Sequence, residues 1–88
     1  MPVYIGERYI PGAEQDLALN QAARIRSAAH ALATRGSTVT LLSTTFVANE
    51  EWVFDLFQAD SAEQVLRVYA EGGVAVERVT QGVHLTGT

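Results

Sequence analysis

The sequence predicts a two-layer α+β sandwich, with two helices on one face of a four-stranded antiparallel sheet and the elements in the order βαββαβ. Three observations carry this. Two segments repeat apolar residues at three-and-four spacing, the mark of one helical face. Four shorter segments are rich in β-branched and aromatic residues, as strands are. Pro-Gly, Arg-Gly and Gly-Gly pairs fall between them, where turns are needed. The chain of 88 residues reads as one domain, 1–88, without linker, internal repeat or low-complexity tract.

Val3 to Ile10 alternates as a strand, and Pro11-Gly12 ends it. From Glu14 to about Arg35, Ala18, Ala22, Ile25, Ala29 and Leu32 define one helical face. Glu14 and Asp16 near its start and Arg35 at its end suit the helix dipole, and Gly36 suits a left-handed cap. Val39 to Val47 is a second strand, Ala48 to Glu51 a turn, and Trp52 to Gln58 a third strand. Ser61-Ala62-Glu63-Gln64 reads as a capping box opening a second helix, with Ala62, Val65, Leu66 and Tyr69 inward and Gly72-Gly73 at its end. The last strand runs from about Val76 to Leu85.

With right-handed crossovers this order gives the ferredoxin-like split βαβ sandwich, whose first strand lies between the third and fourth. The side chains of each strand then divide between a helix face and an open face. Placing Val3, Ile5 and Glu7 with Phe54 and Leu56 under the helices leaves Tyr4, Arg8, Ile10, Val53, Asp55 and Phe57 on the open face, with Arg78 and His84. A monomer so built would expose a sizeable apolar patch. The expectation is a homodimer whose sheets face each other, with Asp55 lining the cleft.

A carboxylate among large apolar residues, as in EEWVFDLFQ (Glu50 to Gln58), needs a partner, and Arg8 is the natural one. That pair reads either as a structural ion pair between neighbouring strands or as part of a small-ligand site with His84, Tyr4 and Arg78. His30 lies at the edge of the first helix's apolar face near Arg26, and neither histidine has a second histidine at metal-ligand spacing. Phosphate loops, nucleophile elbows and paired-histidine motifs are absent.

Composition narrows the classes further. There is no cysteine for a disulfide, thiolate site or nucleophile, and a formal net charge of −4 disfavours nucleic acid and anionic membrane as partners. MPVYIGERYI lacks the basic and apolar regions of a secretory signal. No segment approaches the roughly 20 apolar residues of a membrane span, so a cytoplasmic protein is expected.

In PVYIGERYIPG and SAEQVLRVYAEGGVAVERV the chain resembles a family of small bacterial ferredoxin-like proteins, domain of unknown function 4242, which includes nickel-binding members. Members typically carry a cysteine where this chain has Asp55, a helix histidine where it has Val68 and a proline where it has Ala75. The resemblance implies a small non-catalytic dimeric binding protein taking nickel or a small ligand in its cleft. Glu7, Arg8, Asp55, His84 and Tyr4 are its candidate ligand residues, and His84, His30 and Asp55 its candidate metal ligands. Since cysteine is missing, a metal would have nitrogen and oxygen donors only. The alternatives are a cofactor-free monooxygenase or isomerase of the dimeric α+β barrel type, with Asp55 or His84 as base, and a pure assembly domain.

Overall fold

The computed structural model describes residues 2–12, 14–83 and 85. Its elements are β1 (Val3–Tyr9), α1 (Gln15–Ala33), β2 (Thr40–Val47), a 3-10 turn (Ala48–Glu50), β3 (Trp52–Gln58), α2 (Ala62–Gly72) and β4 (Arg78–Gly82). The sheet is antiparallel in the order β2-β3-β1-β4, the ferredoxin-like arrangement expected. β4 is shorter than the sequence suggested, because the chain after α2 joins the sheet only at Arg78.

The ends of α2 follow from local chemistry. The Ser61 hydroxyl accepts from the Gln64 backbone N–H at 3.3 Å, one half of the expected capping box. The other half is displaced by one residue, since Gln64 Oε1 accepts from the Asp60 N–H at 2.8 Å. At the far end Gly73 takes the left-handed conformation, φ 64°, and its N–H returns to the Ala70 carbonyl. The buried face of α2 is Val65, Val68 and Tyr69, whereas Leu66, expected inward, is exposed. α1 buries Ala18, Ile25, Ala28, Ala29 and Leu32.

The main core packs Ile25, Leu32, Val39, Leu41, Phe57, Val65, Val68 and Tyr69 between the layers, and Ile10, Ala18 and Val53 form a smaller cluster under the start of α1. Both clusters correct the expected facing of the central strands. Tyr4, Arg8, Ile10, Val53, Asp55 and Phe57 point under the helices, and Ile5, Glu7, Tyr9, Trp52, Phe54 and Leu56 alternate onto the other face. The expectation erred by one residue of parity, which carries a strand's whole side-chain set to the opposite face. In β4 the expected facing holds: Val79 packs on the core and Arg78 stands opposite Glu7.

In β2 the pairing with β3 slips between Leu41 and Ser43, leaving Leu42 as an exposed bulge. The shift lets Leu41, Thr44 and Phe46 all meet the helix layer although their numbers do not share one parity. At the far corner Glu51 adopts a left-handed φ of 59°. Its carboxylate accepts from the Tyr9 hydroxyl at 3.2 Å and from the Gly12 N–H, tying the turn before α1 to the start of β3.

Candidate functional site

The polar centre of the molecule is built from both layers. Arg8 on β1 and Asp55 on β3 are 1 % and 0 % exposed, and Gly6, not Arg8, is the residue directly opposite Asp55. The pair is therefore diagonal across the two strands, within reach of a long side chain. Arg8 Nε donates to Asp55 Oδ2 at 2.7 Å and Nη2 to Oδ1 at 3.0 Å, a two-pronged guanidinium–carboxylate contact. Thr44 of β2 donates to Oδ1 at 2.8 Å, and Tyr69 of α2 donates to Oδ2 at 2.6 Å. Gln21 of α1 accepts from Arg8 Nη1 at 2.5 Å.

Tyr69 reaches Asp55 by passing over Gly6. A Cβ at position 6 would lie 1.9 Å from the Tyr69 hydroxyl oxygen, so only glycine leaves the path open. The ring also stands edge-on to Phe57, with centroids 5.6 Å apart.

Asp55 thus accepts four hydrogen bonds, two at each oxygen, which matches the roughly four lone-pair sites of a carboxylate. No buried side-chain N or O atom among the described residues lacks a partner. A carboxylate so filled has no lone pair left for a substrate proton or a cation. Through Arg8, Gln21 and Tyr69 its hydrogen bonds link both central strands to both helices.

The same geometry acts on Tyr69, whose pKa is raised first by burial and then by the Asp55 charge beside it. A raised folded-state value means that above about pH 10 the native protein binds more protons than the unfolded chain, so stability falls as pH rises through that range. Alkaline denaturation will therefore steepen above about pH 10. Tyr69→Phe will flatten that slope in urea melts taken across the range, and an unchanged slope would separate Tyr69 from the alkaline transition.

The structure brings together only part of the expected site. Arg8 and Asp55 pair as expected, but beneath the helices and not on the open face. Tyr4 lies in the main core, 5 % exposed. Glu7 sits on the open face and accepts from Arg78 Nε at 2.7 Å. His30 is exposed on α1, in the wall of a cavity between α1 and β2 that Asp55 does not line. His84 lies outside the described residues. Sequence reasoning missed Tyr69, Thr44 and Gln21 as partners of the pair. The signal that could have found Tyr69 is the glycine at position 6 below an inward aromatic of α2.

Among the described residues no group of three or more His, Asp or Glu side chains gathers, and Asp55 already accepts four hydrogen bonds, so those residues alone do not make up a metal centre; the expected ligand His84 lies outside them.

No helix of the described residues is long and apolar enough to cross a membrane. Comparison with known proteins adds the fold alone. No family model matches the chain, and no curated protein matches it. A protein from Streptomyces coelicolor A3(2), known from a crystal structure, superposes with a TM-score of 0.73 over 97 % of this chain and 99 % of its own, at 15 % identity.

Proposed function

We propose that this chain is a small, non-catalytic binding protein that works as a homodimer in the cytoplasm, its open sheet face closing against the same face of a second copy. The observation that carries the assembly is the row of Ile5, Tyr9, Trp52, Phe54 and Leu56 on that face, uncovered by either helix. Ile5 and Tyr9 are 36 % and 46 % exposed, and the Tyr9 and Trp52 rings lie tilted against each other, centroids 5.5 Å apart, to form a broad aromatic surface. A patch of this kind is characteristic of an interface, and a two-fold arrangement lets one patch cover its own copy. The Glu7–Arg78 pair supplies a polar border. Saturation of Asp55 supports the non-catalytic half of the reading, because the one buried carboxylate has no free oxygen with which to act as a base. Membership of the domain of unknown function 4242 family belongs to the same proposal and is supported by the two stretches quoted above.

Light scattering tests the assembly. The expected mass is twice the 9.5 kDa of one chain across the micromolar range. Leu56→Glu, which places a charge within that apolar row, should return the monomer mass with unchanged secondary structure. A wild-type monomer at those concentrations would overturn the reading.

A further inference from the structure

From the cavity between α1 and β2 we infer a site for a small organic carboxylate with an apolar tail. The inference supplies a ligand class for the binding role proposed above, but it stands on a different surface from the dimer face. The cavity has a volume of about 180 Å³ and a floor of Ala29, Val39 and Leu41, all buried. Arg26 and His30 stand in its wall, one helical turn apart on α1.

Among the described residues neither the Arg26 guanidinium nor the His30 imidazole makes a hydrogen bond or ion pair; Arg8, Arg24, Arg35 and Arg78 do, and Arg67, like Arg26, does not. The helix dipole favours positive charge at His30, in the last turn of α1, but not at Arg26 about two turns from that end, and it does not account for the apolar hollow beside them. A divalent cation at His30 would meet the Arg26 charge, so the pair selects an anion. A guanidinium donates two parallel bonds to a carboxylate, and the neighbouring imidazole can donate a third. Beyond Arg26 and His30 the lining is Ala29, Ala33, Val39 and Leu41 with the single hydroxyl of Thr40, and no charged group stands opposite to satisfy a second charged end, so the rest of the ligand is largely apolar. A volume of about 180 Å³ is of the order that accommodates a branched chain or a single ring.

Benzoate and its neutral isostere benzamide are the probes, followed by amide shifts in two-dimensional NMR of the intact chain. The expected result is saturable shifting by benzoate at Ala29, Ala33, Val39 and Leu41. Benzamide should bind about tenfold or more weakly, the loss of one charge-assisted bond being worth about that factor. Arg26→Gln should weaken benzoate by a similar factor while leaving the rest of the spectrum in place, and His30→Gln should weaken it less. Equal shifts from benzoate and benzamide, or undiminished benzoate binding by Arg26→Gln, would overturn the site. Failure here leaves the light-scattering result untouched, and a monomer that still binds benzoate would remove the dimer reading alone.

Discussion

Asp55→Ala is expected to cost about 3–5 kcal/mol of stability, because it leaves the Arg8 guanidinium buried without its anion. Small domains are stable by only about 5–15 kcal/mol, so the variant should be largely unfolded in mild urea. The companion change is the informative one. Arg8→Met with Asp55→Leu removes both charges and keeps apolar volume, and replacements of that kind are often neutral or stabilising. Tyr69 and Thr44 would still lose their acceptor, so the full expectation adds Tyr69→Phe and Thr44→Val. Urea midpoints for the single, double and quadruple variants decide the matter. If Asp55→Ala melts like the wild type, the carboxylate does not hold the layers together, and its saturation ceases to explain why it is there.

Gly6→Ala should be comparably damaging, by about 2.5–6 kcal/mol, the sum of overpacking and a lost hydrogen bond to a charged group. Gly6 is not among the glycines with positive φ, so the cost is one of space and not of backbone freedom. The new methyl would meet the Tyr69 oxygen at 1.9 Å, its Cζ at 2.7 Å and its Cε2 at 2.9 Å, and the whole ring would have to move. Adding Tyr69→Phe removes the worst of these contacts, so the two substitutions should be less than additive in a double-mutant cycle. Strict additivity would mean that the ring does not pass over residue 6 in solution.

How far the molecule was legible differs between its levels. Element order and the sheet's topology followed from periodicity and turn residues, and β3 was bounded correctly from Trp52 to Gln58. Facing was not legible in β1 and β3, because apolar residues occur on both sides. Trp52, Phe54 and Leu56 compete with Val53 and Phe57, and hydrophobicity alone cannot rank two apolar faces. The presence of Arg8 and Asp55 on one side made that side look like the wet one. What reverses the choice is a contact between distant residues: a tyrosine of α2 that needs a glycine beneath it and a carboxylate beyond it. The Arg8–Asp55 partnership could be read from charge. Its burial could not, because it depends on Thr44 and Gln21 arriving from β2 and α1 to satisfy the remaining polar atoms.

The bulge at Leu42 bears on how the protein behaves when crowded. A strand at the margin of a sheet offers a row of unpaired amides and carbonyls on which another chain can grow, and growth of that kind has no natural end point. Here β2, one margin, is bent at Leu42, and β4, the other, is only five residues long. Neither presents a long, flat template. The association proposed for the broad aromatic face would be self-limiting, since a two-fold contact consumes the surface that made it, whereas stacking strand upon strand would run on into fibres. The irregularity thus works against open-ended polymer, leaving the proposed closed pair as the way to cover the sticky face, and straightening β2 by deleting Leu42 should shorten the lag before fibril formation in concentrated solution.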